Sequence, residues 1–248
     1  MRATRGYVLA AVFLLLIWQG ASLGVNSPML PTPGESLRAT GRLIGQGLTS
    51  HLWISTYRVV LSTALSLLIG LPLGLIMGFE PKLDRFLAPL VYLTYPIPKI
   101  VFLPLILLFL GLGNTSKIFL ITLIVSFQIL VTTRDAVRKV PPERVDSLLS
   151  LGASHYQVYR YLLLPACLPD VLTALRLSMG TAIAVLFFAE SFATTQGLGY
   201  FIMDAWSRSA PDEMFAGILV MGLLGVLLFL VVDLAEKVLV RWQHVKGR

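Results

Sequence analysis

Apolar residues along this chain gather into long runs rather than into the short alternating or one-faced patterns of a water-soluble element. About 20 mostly apolar residues suffice to cross a hydrocarbon core as a helix. Six runs reach or approach that length: residues 7–25, 53–79, 86–112, 117–133, 169–194 and 214–236. The pattern predicts an all-α integral membrane fold of about six transmembrane helices, with residues 1–248 as one membrane domain. The first run follows Arg2 and Arg5 and ends at Gly20-Ala21-Ser22, which also fits a secretory signal peptide. We read it as a retained span.

Composition agrees. Only 13% of residues are charged and the mean hydropathy is +0.80, against about 25% charged in soluble domains. A chain so poor in charge cannot clothe a water-facing surface, so lipid must solvate most of it. The net charge of +7 matters through its placement. With the N-terminus inside, thirteen Lys/Arg fall on the inner side, from Arg2 and Arg5 through Lys82, Arg134, Arg138 and Arg160 to Lys246 and Arg248. About five fall outside: Arg38, Arg42, Lys117, Arg208 and Arg58. Both termini are therefore expected in the cytoplasm. No Lys/Arg run is interleaved with aromatics, which argues against nucleic acid as a partner. The single cysteine, Cys167, cannot form an intramolecular disulfide.

The connections differ in kind. Residues 26–50 begin rich in Pro, Gly and Ser. They continue as a mildly amphipathic stretch with Leu37, Leu43, Ile44 and Leu48 among Arg38, Arg42 and Gln46, as expected of a helix at the outer interface. Residues 195–213 form a second outer segment around Gln196-Gly197-Leu198-Gly199-Tyr200. The longest connection, 134–168, is a polar island. Pro141-Pro142 suits a helix start, Glu143 suits its first turn, and Gly152 suits its C-terminus. Ser154 suits the N-cap of a second helix, expected over residues 155–164, with Pro165 and Pro169 bracketing the return to the membrane. Tyr156, Tyr159, Tyr161 and Leu162 on that helix are either a protein-binding knob or packing against the chain's own spans.

Asp146-Ser147-Leu148, three residues, Gly152, nine residues, then Leu162-x-Leu164-Pro165 resembles the EAA motif of ABC importer permeases: Glu-Ala-Ala, three residues, Gly, nine residues, Ile-x-Leu-Pro. Ser147, Leu148 and Leu162 depart from that pattern. Pro31-Thr32-Pro33, Arg58, Gly70-Leu71-Pro72-Leu73-Gly74, Tyr95-Pro96-Ile97-Pro98-Lys99, Gly111-Leu112-Gly113-Asn114-Thr115-Ser116-Lys117 and Leu175-Arg176-Leu177 are similar to the branch that imports nitrate, sulfonates, taurine and bicarbonate. The resemblance implies a MetI-like, type I ABC importer permease fold acting as a homodimer or with a close paralogue. It implies two cytoplasmic ATPase subunits that bind ATP and Mg, and an extracytoplasmic binding protein that delivers the solute. It implies a bacterial inner membrane location. It also implies ATPase coupling through Asp146, Gly152, Ala153, Ser154, His155, Tyr156, Tyr159, Leu162, Leu164 and Pro165. No cofactor is expected in this chain, which has no G-x-x-x-x-G-K-[ST] loop, so the ATPase is expected on other chains and this one is not expected to be an enzyme.

Ionisable groups at membrane depth are costly and default to functional candidates. Pro96 and Pro98 remove backbone donors from the third span. Interrupted backbone is tolerable only against protein or a wet cavity. Tyr95, Pro96, Pro98 and Lys99 are therefore candidates to line a translocation path, with Arg58 and Glu190 beside them. The alternatives are a simple kink with Lys99 snorkelling, and a plain Arg58–Glu190 pair. Arg176 is expected to snorkel to the inner face. A cationic path favours an anionic solute. The competing function is a secondary transporter driven by an ion gradient, which predicts paired broken helices in both halves.

Overall fold

The computed structural model describes residues 2–241. The side chains of Arg2 and Arg5, together with His244, Lys246 and Arg248, lie outside the described residues.

The regular elements of the described chain are all helical: α1 Arg2–Val25, α2 Pro33–Leu43, α3 Thr49–Phe79, α4 Pro81–Thr94, α5 Leu103–Leu110, α6 Asn114–Arg138, α7 Pro142–Ser150, α8 His155–Val158, α9 Leu164–Ser191, α10 Leu198–Ser207 and α11 Pro211–Leu239. Four continuous helical stretches are long and apolar enough to cross a membrane, and α4 with the α5 arm makes a fifth if that bent pair is one span. The apolar part of α1 is Leu9–Val25. Its 17 residues rise about 26 Å at 1.5 Å each, at the short end of a span. Against the six spans expected, the described residues thus give four, or five with the bent pair, and Leu9–Val25 is a shorter apolar helix. Leu9, Phe13, Leu14 and Leu16 of α1 are exposed, as are Leu230, Val231 and Leu234 of α11. Bands of that kind are untenable in water.

The chain divides into two compact units. One comprises residues 56–189 and 225–248. Its core is built on α6 and α9, whose Leu120, Ile121, Val125 and Ile129, and Val171, Leu175, Ala182 and Leu186, are buried. A period-four stripe on α3 meets α6 at a constant sequence offset of 56 residues. Arg58 Nε donates to Asn114 Oδ1 at 2.9 Å. Ser62 and Ser66 hydroxyls reach the carbonyls of Ile118 and Thr122, each at 3.2 Å. Gly70, Gly74 and Gly78 continue the stripe against the carbonyls of Ser126, Leu130 and Arg134, where a Cβ would sit 2.7, 2.7 and 2.9 Å away. In lipid no hydrophobic force joins two helices, so small residues that let backbones approach, with hydroxyls as cross-links, are the adhesive.

The third apolar run is broken as its prolines require. α4 ends at Thr94, Tyr95 to Pro98 form a turn, and a 3-10 turn Lys99–Phe102 leads into α5 at 81° to α4. Pro72, Pro89 and Pro169, by contrast, lie inside helices. The helix expected to end at Leu164 runs from His155 to Ser191 through Pro165 and Pro169. A π-turn at Tyr159–Leu163 precedes Pro165, and the Leu164 N–H reaches back to Tyr159 O. That wider turn relieves the clash between the ring of a mid-helix proline and the preceding turn. α6 likewise runs on to Arg138, so the polar island begins in helix.

The other unit comprises residues 1–55 and 190–224. Thr32 caps α2 in a reciprocal capping box with Glu35. α2 buries Pro33, Ser36, Ala39 and Leu43, while Leu37 and Ile44 are exposed, so the amphipathic face is rotated from the expected one. Gly47, at φ +109°, makes the kink between α2 and α3. Trp18 of α1 donates its indole N–H to Pro31 O at 3.0 Å and stacks on Phe215.

Candidate functional site

Two features concentrate the candidate residues. The first is the α7–α8 corner. α7 ends in a Schellman motif: the Gly152 N–H donates to Leu149 O at 2.9 Å and the Ala153 N–H to Leu148 O at 3.1 Å. Gly152 sits at φ +82° with open space where a Cβ would be. Ser154 then opens α8 through a capping box with Gln157. Two caps back to back turn the chain within three residues. The left-handed conformation costs a residue bearing a Cβ about 1–2 kcal/mol, with no steric cost here. Gly152→Ala and Gly152→Val are therefore expected to loosen this corner, and Gly152→Asn to be better tolerated, read as faster proteolysis between α7 and α8. Equal resistance in all three would show that the conformation is not required.

The structure divides the four expected knob residues. Tyr159 and Leu162 turn inward and pack on the core. Tyr159 lies edge-on to Phe79 at 5.1 Å and its hydroxyl is 3.5 Å from Glu80 Oε1. His155 also meets Phe79, at 5.9 Å. Tyr156 and Tyr161 are each 67% exposed, and Leu151 is 84% exposed. Asp146 is exposed on α7, and Ala153, Leu164 and Pro165 are half-buried. The corner is thus an apolar tip fastened at its base to the α3–α4 turn and continuous with α9. Leu151 belongs to this tip, and the sequence reading missed it. Its place immediately before a helix-ending glycine was the available signal.

The second feature is the α4–α5 break. It borders a cavity of about 360 Å³ lined by Tyr95, Ile97, Pro98 and Lys99 with residues of α6 and α9. Lys99 Nζ lies 4.3 Å from the Phe127 ring centroid, 5.7 Å from that of Tyr95, and donates to Thr94 O at 3.2 Å. Pro96 is exposed at the same turn. Arg58 and Glu190 are not among the residues lining this cavity. Arg58 heads the α3 stripe described above. Glu190 is fully buried. It accepts from Ser55 Oγ at 2.8 Å and from the Gly199 N–H at 3.0 Å, a carboxylate at the N-terminus of α10 where the helix dipole favours it. A Cβ on Gly197 would overlap that carboxylate.

Sequence reasoning missed a buried ionic cluster. Asp84 of α4 is bridged by the Arg134 guanidinium, with Nη2–Oδ2 at 3.1 Å, and is also contacted by Arg138. Arg134 Nη1 donates to Tyr92 OH at 2.8 Å. Arg176, expected to snorkel, pairs with Asp233, at 3.5 Å, and with Glu236 of α11.

Comparison with known proteins decides the family. Residues 70–245 match the profile of the binding-protein-dependent transport system inner membrane component. The chain belongs to this family. It is 35% identical over 239 residues to the taurine transport system permease protein TauC of Escherichia coli K12, covering 94% of this chain and 87% of that one. It is 34% identical over 243 residues to the putative aliphatic sulfonates transport permease protein SsuC of Bacillus subtilis 168, covering 97% and 88%. A chain of the inward-facing MetNI methionine ABC transporter superposes with a TM-score of 0.66 at 19% identity, covering 79% of this chain and 97% of that one. The MetI-like permease fold is thereby shown, and the chain is a permease subunit of an ABC importer. None of these relatives supports the alternative of a secondary transporter.

Proposed function

We propose that this permease carries a small anionic solute, of the nitrate, sulfonate, taurine or bicarbonate kind, across a bacterial inner membrane with both termini in the cytoplasm. Two separate ATPase subunits drive it, a binding protein delivers the solute from outside, and a second copy or close paralogue completes the path. The observation that carries this reading is the α7–α8 corner. Leu151, Tyr156 and Tyr161 stand exposed on a capped turn whose second helix continues into α9. An exposed apolar tip on a rigid corner suits a cleft on a moving partner. Push on the tip is transmitted along one helix to the wall of the Lys99 cavity, because Thr181 and Phe188 of α9 line it. ATP-driven approach of two such tips would then switch the cavity between faces.

The test is co-purification with the ATPase subunit. Leu151→Asp combined with Tyr156→Asp is expected to release the ATPase while leaving the membrane chain monodisperse, since neither side chain packs on the core. Retention of a fully coupled ATPase by that variant would refute the docking role. The solute class is tested by ATP-dependent uptake into vesicles supplied with the binding protein.

A further inference from the structure

Three consecutive backbone amides at the start of α10 are each satisfied by a side chain of the same unit. The Gly197 N–H donates to His51 Nδ1 at 3.1 Å, the Leu198 N–H to Ser55 Oγ at 2.8 Å, and the Gly199 N–H to Glu190 Oε2 at 3.0 Å. The first amides of a helix have no partner within it, so these side chains form an external cap. His51 and Ser55 are four residues apart and share one face of α3. Ser55 in turn donates to Glu190. Ser55, Glu190 and Leu198 are fully buried, whereas His51 is half-buried. The His51 ring stacks on Tyr200 at 5.8 Å and meets Phe201 at 5.6 Å. These contacts fix the ring and aim Nδ1 at Gly197. The segment closed by the cap is exposed at Thr195 and Gln196, and it bends through Ala193 at φ +48° and Gly197 at φ +116°. A left-handed conformation is unfavourable at a residue with a side chain, so the segment depends on its ties more than on its own backbone preference.

His51 differs from the other two acceptors in its response to protons. An imidazole nitrogen accepts a hydrogen bond only while it is unprotonated. The neutral ring here carries its proton on Nε2 and accepts at Nδ1. Protonation sets an Nδ1–H against the Gly197 N–H, and the hydrogen bond is lost. Turning the ring cannot restore it, because an imidazolium has no acceptor to offer. The titratable groups around the ring are the Glu190 carboxylate, which also lies against Gly197, and the Tyr200 phenol. On α3 itself, Arg58 stands two turns farther along and donates to Asn114. We propose that His51 is a proton-sensitive clasp on residues 194–199. Neutral, it fastens the start of α10 to α3; protonated, it lets go. The clasp is therefore closed at high pH and opens as pH falls. An unfastened surface must be re-ordered by whatever docks on it, at a cost in affinity, so opening slows delivery from that side. The side is the outer one in the orientation proposed above, and this consequence for transport rests on that import reading.

The test is hydrogen exchange of the permease–ATPase complex in lipid nanodiscs from about pH 8 to about pH 5, the range in which histidine is suited to change charge. It is read as protection factors of residues 194–200, which removes the intrinsic pH dependence of exchange. The unaltered complex is expected to lose about tenfold in protection across that range, the factor that one lost hydrogen bond is worth. His51→Asn places a carboxamide oxygen near the position of Nδ1, accepts without titrating, and should keep the protection at every pH. His51→Leu should show the released value at every pH. Protection that does not vary with pH in the unaltered complex overturns the proposal. So does an acid loss that persists in His51→Asn, which would assign the sensing to Glu190. Should His51→Leu fail to fold, the comparison with His51→Asn still decides. Transport is read as the ratio of unaltered to His51→Asn uptake, in vesicles with a fixed inner pH and a varied outer pH. Titration of the solute, the binding protein and the ATPase cancels in that ratio. It should be near one in mild alkali and fall at least about twofold in acid, the loss expected when a docking surface must be re-ordered. A ratio of one throughout overturns the consequence for transport. Absence of ATP-dependent uptake in both proteins overturns the import reading, and the exchange result then judges the clasp by itself.

Discussion

Replacing Gly74 with valine is expected to prevent α3 and α6 from packing, and to do so more severely than any substitution on the exposed faces. A Cβ at Gly74 would lie 2.6 Å from Thr133 Cβ and 2.7 Å from Leu130 O. Neither is the free end of a flexible side chain: one belongs to a β-branched residue fixed in a helix, the other to the backbone itself. The helices must therefore separate. Overpacking typically costs about 1–3 kcal/mol, which Gly74→Ala alone should incur, and valine adds two further methyl groups at the same place. Separation also stretches the neighbouring cross-links from Ser62 and Ser66. The measurement is the melting temperature of the purified complex and the yield of monodisperse protein. Gly222→Ala is the control, since nothing lies within 4 Å of its added Cβ and it should gain up to about 1 kcal/mol from helix propensity. If Gly74→Val melts with the unaltered protein, the close contact of α3 with α6 is wrong.

The stripe also marks what one-dimensional reading could and could not reach. Membrane residence, the approximate positions of the spans and the proline break at Tyr95 to Pro98 were legible, because each follows from local composition and from the missing N–H of proline. The Gly152 and Ser154 caps were legible for the same reason, as caps are satisfied within four residues of themselves. Gly70 and Gly74 could be seen but not their partners, since the 56-residue offset to α6 exists only after both helices form. Pro165 misled because a helix end was inferred from the ring alone, while the π-turn at Tyr159–Leu163 is a property of the folded corner. Tyr159 and Tyr161 are alike in sequence and opposite in fate. The residue that decides is Phe79, which packs on Tyr159 from 80 positions away. Glu190 has a further role that local sequence does not show. Its cap on α10 needed Ser55 and the Gly197 turn to be seen together.

Asp84→Ala is the second substitution expected to have a large effect, for an electrostatic reason. Asp84 and Arg134 are 7% and 5% exposed, and the carboxylate is the acidic partner shared by Arg134 and Arg138. Removing one member of a buried pair leaves the other charge desolvated and uncompensated, at a cost of about 3–5 kcal/mol. The remaining contacts of Arg134, to Tyr92 OH and to Asp135 at 3.1 Å, offset only part of that, because the Asp135 side chain is half exposed to solvent and surface pairs contribute about 0–1 kcal/mol. Leu93→Ala, on the same helix and 74% exposed, should change little and serves as the control. Because replacing both partners by apolar groups is often neutral, Asp84→Leu with Arg134→Met should recover much of the stability lost by Asp84→Ala. Full additivity of the two single effects in that double variant would show that the pair is not coupled. The consequence reaches the Lys99 cavity. α4 leads directly into the break that carries Tyr95 and Lys99, and α6 carries Phe127 and Gln128. The ionic cluster is the buried polar tie between those two helices on that side. Asp84→Ala that still assembles is therefore expected to lose solute uptake as well as stability, whereas Asp84→Leu/Arg134→Met should restore the stability before it restores the uptake, since apolar packing holds the helices together without fixing their register.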